Sequence, residues 1–184
     1  EATGDILARI DSDSILPANW VEKIDKAFSE SPSIMAYTGA PDFYDAPMAG
    51  ILNVCQVLIY QKLQRLITGT YMLWGANMAL RREAWLAVKK HVSSRVDLDE
   101  DIDLTLSLHN LGYEIQFDQS LKVKASAMRG RYGLFNTVSY LSSWPRDYIH
   151  HKMYIRGLFV AILSALFVVI TSPLLLFNDI IGLR

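Results

Sequence analysis

Apolar residues recur along this chain with two periods, and the switches between them outline alternating strands and helices. Asp5 to Ile10 reads as a short, largely buried strand that stops at Asp11. Pro17 suits the first turn of a helix carrying Trp20, Ile24 and Phe28 on one face, with Lys23 and Lys26 off it. Ser31-Pro32-Ser33 ends that helix, and Ile34 to Gly39 reads as a second strand running into the turn-rich Gly39-Ala40-Pro41-Asp42. From Ala49 to Ile67, Leu52, Cys55, Ile59, Leu63 and Leu66 recur at helical spacing. Gln56, Gln61, Lys62, Gln64 and Arg65 keep that run well short of a membrane span, so an amphipathic helix facing the core or lipid is expected. Tyr71 to Arg82 has a strand–turn–strand pattern, and Arg82 to Lys90 enters a helix. Asp101 to Asn110 is a further helix holding Leu104, Leu106 and Leu108, closed by Gly112 as a left-handed cap; Tyr113 to Phe117 returns as a strand. Strands alternating with helices argue for an α/β sheet.

Nearer the C-terminus the pattern changes. Arg129, Arg131 and Arg146 stand among Tyr132, Phe135, Tyr140, Trp144 and Tyr148, and Leu134, Val138 and Leu141 share a helical face until Pro145 breaks it. Residues 131–156 therefore read as an interfacial amphipathic segment, with aromatics at headgroup depth and cations toward anionic lipid. No charged residue lies between Arg156 and Asp179. A helix over 157–178 is long enough to cross the hydrocarbon core of about 30 Å, and Pro173 near its end is tolerated. Lys152 and Arg156 precede this run and Asp179 follows it, which by the positive-inside rule puts the globular part on the cytoplasmic face. Adjacent His150 and His151 point to different helix faces, and interfacial solvation suits them better than a metal pair.

Charge sharpens the division. Residues 1–118 hold ten Lys and Arg against seventeen Asp and Glu, whereas 119–156 hold seven against one. A basic stretch leading into an apolar run favours a membrane surface over nucleic acid as its partner. The single cysteine, Cys55, rules out an internal disulfide framework and a Cys-based zinc site; it reads as a small buried hydrophobe, compatible with a reduced, cytosol-facing setting. The chain opens Glu-Ala-Thr-Gly with a strand beginning at once and no signal peptide before it, so it is expected to be a segment of a longer protein.

Two acidic clusters carry candidate chemistry. Asp11-Ser12-Asp13 directly follows a strand, at the sheet edge where ligands collect in open α/β folds. Two hard oxygen ligands one residue apart can hold Mg²⁺ or Mn²⁺ while a substrate diphosphate fills other positions, although Ser12, Asp13 or Ser14 could equally cap the helix after Pro17. Asp99-Glu100-Asp101-Ile102-Asp103 lies at a helix start, where the helix dipole favours carboxylates. Crowding also raises the pKa of one member of such a cluster, which suits it to accept a proton near neutrality.

Taken in order, the strand ending at Asp11-Ser12-Asp13, then Trp74 to Arg82, then Glu100 to Tyr113 resemble the family 2 inverting glycosyltransferases of GT-A fold. The similar stretch runs over about residues 1–130. The resemblance implies an incomplete GT-A (nucleotide-diphospho-sugar transferase) sandwich over 1–130, followed by the interfacial segment and the transmembrane helix. By the same resemblance Asp11 and Asp13 bind the metal, Mn²⁺ or Mg²⁺, and the nucleotide diphosphate. Asp101 is then the base that deprotonates the acceptor hydroxyl, while Trp74, Gly75, Asn77 and Glu100 line the acceptor side. It implies a nucleotide-sugar donor, a lipid-linked or saccharide acceptor such as those of cell-envelope polysaccharides, membrane lipids as partners, and inversion at the anomeric carbon. The nucleotide-base half of the family's domain would precede Glu1, so this segment alone is expected to be inactive. Processive members carry Gln-x-x-Arg-Trp after the base; the nearest stretch here, Tyr140 to Trp144, lacks the Gln and Arg, which favours transfer of one or a few sugars. Outside these motifs, Trp74 suits stacking on a sugar or packing at a strand end, and Arg81-Arg82 suits a phosphate or the surface. The rival readings are a haloacid-dehalogenase-type phosphatase, which wants Thr or Val where Ile15 stands, and a catalytically inactive membrane-tethered binding module.

Overall fold

The computed structural model describes residues 2–45, 49–126 and 133–181, without the side chains of residues 133, 134, 136, 171 and 173–181. Four strands, β1 (Ile6–Arg9), β2 (Ile34–Phe43), β3 (Met78–Arg81) and β4 (Glu114–Ala125), form one sheet in the order β1-β3-β2-β4. The third strand runs antiparallel to both neighbours, and β2 and β4 are parallel. The C-terminal ends of β1, β2 and β4 and the segment entering β3 therefore share one sheet edge.

Alternation along the strands sends successive side chains to opposite faces, and each face finds its own cover. Helix α1 (Trp20–Glu30) lays the expected stripe of Trp20, Ile24 and Phe28 against Tyr37, Ala79, Leu121 and Val123. On the other face Ala36, Met78 and Leu80 meet Ala84 and Val88 of α4 (Arg82–Val88) and Leu104 and Leu108 of α5 (Glu100–Asn110). The far side of α5, Ile102 and Leu106, packs against Tyr148 of α6 (Gly133–His150) and Val160 of α7 (Tyr154–Ile181). Every residue from Ile102 to Leu108 is buried, as suits a helix enclosed by layers on both sides. Gly112 follows α5 with φ +77°, the expected left-handed cap.

Several elements depart from the sequence expectation. The second strand does not stop at Gly39; it continues to Phe43 beside β4, with its register interrupted between Gly39 and Pro41, so the turn-prone residues make an irregularity rather than a turn. Of the Tyr71–Arg82 stretch only Met78–Arg81 is a strand. The helical run after residue 49 has three parts: α2 (Ala49–Cys55), a π-helical turn (Gln56–Leu63) and α3 (Gln64–Thr68). Its π-segment changes the helical period, so Val57, Tyr60, Gln61, Gln64 and Thr68 turn inward while Ile51, Val54, Leu58 and Leu66 face out. Buried Gln61 then stands in for a strand partner. Its Nε2 donates to Met72 O at 2.9 Å, and its Oε1 accepts Met72 N–H at 3.2 Å.

The C-terminal helices differ too. The sixth helix runs straight through Pro145, with Leu141 and Tyr148 buried on either side holding it in place. Val138 is exposed where Leu141 is buried, so they do not form one lipid-facing stripe; α6 turns instead toward α5. Among the described residues no helix is long and apolar enough to cross a membrane. Backbone of the expected span 157–178 is helical within α7, but most of its side chains from 171 onward lie outside the described residues, as do Arg129, Arg131 and Tyr132 entirely.

Gly39 lies where β2 crosses the entry to β3. A Cβ there would stand 1.9 Å from Leu121 O and 2.4 Å from Asn77 Nδ2. Gly39→Ala is expected to destabilise the fold by about 3 kcal/mol through overpacking against backbone, read by urea unfolding. A loss below about 1 kcal/mol would mean the two strands separate more easily than this packing implies.

Candidate functional site

The segment entering β3 has almost no backbone partners of its own, and buried donors there must be satisfied by side chains. Besides the Gln61 pair, Leu73 N–H donates to Thr105 Oγ1 at 2.9 Å and Trp74 N–H to Thr38 Oγ1 at 3.2 Å. Gly75 N–H donates to Asp101 Oδ2 at 2.7 Å. Asp101 stands in the first turn of α5, a turn set by Asp99, whose Oδ1 accepts the amides of Asp101 and Ile102 at 3.1 and 3.3 Å. The carboxylate is thus held from the sheet edge, while the cap fixes the backbone that carries it.

Around it lies a cavity of about 390 Å³. Arg9 and Asp11 border it from the end of β1, Trp74 and Ala76 from the segment before β3, and residues 96–101 from the approach to α5. Ser139, Tyr140, Ser143 and Arg146 of α6 supply the remaining wall. Arg9 pairs with Glu100 and lies 3.4 Å from Asp101 Oδ1. Burial pushes the Asp101 carboxyl up to about 7, aided by the charges of Asp99 and Glu100; the Gly75 amide and Arg9 pull the other way.

The sequence candidates divide on this geometry. Asp11, Trp74, Glu100 and Asp101 border one cavity, and Gly75, not itself among its walls, binds the Asp101 carboxylate through its amide. Asp13 is exposed on the turn beyond Asp11 and is not among the cavity walls. Asn77 is fully buried in the core: its Oδ1 accepts Trp20 Nε1–H at 2.9 Å and its Nδ2 donates to Leu121 O at 2.7 Å. Helix α1 begins at Trp20 with no side-chain cap bond from Asn19, so Asp11 to Ser14 do not cap it. Arg81 belongs to the scaffold, donating to Ile34 O and Phe28 O and stacking on the Phe28 ring. Arg82 donates to Thr3 O. His151 is not solvated as expected; its Nε2 meets Asp103 Oδ1 at 2.7 Å, both side chains buried.

Two contributions were missed. Arg9 lies two residues before Asp11, and strand alternation would have placed both on one face. Ser139, Ser143 and Arg146 recur at helical spacing, but the aromatics among them point to lipid contact instead. Asp11 and Asp13 are hard oxygen donors free of a capping role, which suits Mg²⁺ or Mn²⁺ sharing a diphosphate's oxygens. Among the described residues no group of three or more His, Cys, Asp or Glu could hold a metal by itself.

No family model matches the chain, and neither does any curated protein at a meaningful level. Among solved structures it is similar to a mannosyltransferase from Pyrobaculum calidifontis, PcManGT, determined in complex with GDP-Man and Mn²⁺. The two share 15% identity at a TM-score of 0.53, over 100% of this chain and 57% of that one. At this identity the likeness shows the fold alone, a mixed α/β unit, and this chain spans little more than half the length of that one.

In the fold Asp101 keeps its proton to about pH 7, whereas an ordinary carboxyl releases it near 3.8. The folded state therefore holds the extra proton between these values, and Asp101 costs stability as pH rises through that window. Thermal unfolding without added metal should show Asp101→Asn gaining on the wild type from pH 4 to pH 7. A gap that does not change with pH would contradict the burial argument.

Proposed function

We propose that this chain forms part of a glycosyltransferase that moves a sugar from a nucleotide-sugar donor to a hydroxyl acceptor, inverting the anomeric carbon. The observation that carries the proposal is one cavity bordered both by a buried carboxyl with a proton affinity near neutrality, Asp101, and by a strand-end carboxylate, Asp11. A base poised near neutral pH can take a proton from an alcohol as it attacks. Asp101 Oδ2 is engaged by the Gly75 amide, which leaves Oδ1, beside Arg9, to accept the acceptor's hydroxyl proton. The acceptor oxygen then forms its bond to the anomeric carbon while the bond to the diphosphate breaks on the opposite side. Mn²⁺ or Mg²⁺, held by Asp11 and Asp13, would neutralise the departing diphosphate. Trp74 offers an aromatic wall for a sugar face, with Glu100 beside it on the acceptor side and Gly75 behind the Asp101 carboxylate.

The fold likeness to a transferase solved with a nucleotide sugar and Mn²⁺ supports the donor class and the metal. The acceptor we propose is a saccharide or lipid-linked hydroxyl compound. Helix α7 exposes Leu158, Phe159, Ile162, Leu166, Val169 and Ile170, and Lys152 and Arg156 lie at its start. These features support attachment to a membrane with the cavity on the cytoplasmic face.

In the full-length protein with Mn²⁺ and a panel of nucleotide sugars, Asp101→Asn should lower kcat by roughly 10²- to 10⁴-fold while donor binding by calorimetry is retained. A Cβ on residue 75 would fall 2.7 Å from Asp101 Oδ1, so Gly75→Ala should displace the base and cost about 100-fold in kcat. Full activity of Asp101→Asn would remove the base assignment. Donor binding with no turnover by the wild type would favour the inactive tethered module.

A further inference from the structure

The turn that carries Asp101 is fastened from behind as well as from the sheet. Asp147, fully buried on α6, accepts the Asp99 backbone N–H on Oδ2 at 3.1 Å. Asp99 is the residue whose side chain caps α5 at Asp101 and Ile102, so the contact lies one residue from the base-bearing turn. Further along, His151 Nε2 meets Asp103 Oδ1 at 2.7 Å, and Asp103 Oδ2 accepts the Ser93 amide at 2.7 Å. Between these polar contacts Tyr148 packs on Ile102 and Leu106 and donates to Gln64 Oε1 at 2.7 Å. The same helix also walls the cavity.

We propose that Asp147 is a positioning residue for sugar transfer, holding the Asp99–Asp101 turn so that the Asp101 carboxylate stays in the cavity; this rests on the reading of Asp101 as the base. A seated α6 is then a condition for catalysis and not only a membrane-side appendage. The surroundings of Asp147 are almost all acidic. Asp103 faces it from α5 and Asp99 from that helix's cap, Asp97 and Arg95 from the segment before, while Tyr148 adjoins it on α6 and His151 lies just past that helix. Its Oδ1 is buried and has no hydrogen-bond partner among the described residues. Burial pushes this carboxyl up to about 8, with Asp99, Asp103 and Asp97 adding to it and the Asp99 amide opposing. Asp147 thus accepts the amide as a neutral acid at pH 7. Its ionisation near pH 8 puts a negative charge against the carboxylates of the turn it holds.

The test uses the full-length protein, steady-state transfer and hydrogen exchange of the 97–103 amides. Asp147→Asn keeps an oxygen for the Asp99 amide and cannot ionise. It should retain the wild-type kcat at pH 7 and lack the wild-type decline above about pH 8. Asp147→Ala, or Asp147→Leu should the alanine variant not fold, should lower kcat roughly tenfold with donor KM unchanged and speed exchange at 97–103 more than in the sheet. The proposal is overturned if exchange at 97–103 is unaltered, if exchange rises equally everywhere, or if Asp147→Asn is as damaging as the truncation. It is also overturned if Asp147→Asn keeps the alkaline decline. Absence of transfer by the wild type would defeat the catalytic reading, while the exchange measurements still decide whether Asp147 holds the turn.

Discussion

The site depends on a 2.7 Å hydrogen bond from the Gly75 amide to Asp101 Oδ2. It joins a stretch of chain with no strand partners to the start of a buried helix, and it requires residue 75 to lack a Cβ. Pulling the two backbones this close buries the Asp101 carboxyl, and burial raises its proton affinity toward neutrality. A longer side chain at 75 would relieve the burial and displace the carboxyl together. Position and proton affinity are therefore one physical fact here.

Helix α5 transmits that constraint to the rest of the fold. Leu104 and Leu108 tie it to the sheet, while Ile102 and Leu106 tie it to Tyr148 and Val160. The segment opposite is held by Thr105, Thr38 and Gln61, each placing a side-chain group on a backbone amide that no strand satisfies. Polar residues in this core do the work of a missing ladder, and buried polar groups are tolerated because they are paired. Arg9 places a cation against the acidic part of the wall, which lets Glu100 and Asp101 stand side by side.

Much of the scaffold was legible. Trp20, Ile24 and Phe28 announce α1 because one face of a regular helix must be apolar, and Asp11 stands at the sheet edge because the strand before it ends where its apolar run ends. What escaped were places where the local period fails or a residue's type misleads. The π-helical turn at Gln56–Leu63 shifts the buried face off the heptad-like spacing. Asn77 and His151 are polar types whose partners, Trp20, Leu121 and Asp103, are distant in sequence, and no local pattern reveals them. Arg146 and Tyr140 read as lipid-facing because their neighbours are aromatic, whereas tertiary packing turns them to the cavity.

The proposed reaction, with Asp101 as base on one side of the anomeric carbon and a diphosphate leaving on the other, is a single displacement. The most direct measurement is the anomeric configuration of the new glycosidic bond in the first product released by the full-length protein, read by proton NMR before further transfer. The account predicts the configuration opposite to that of the donor. A product with the donor's own configuration would contradict it, because Asp101 could not then be the base of a direct displacement.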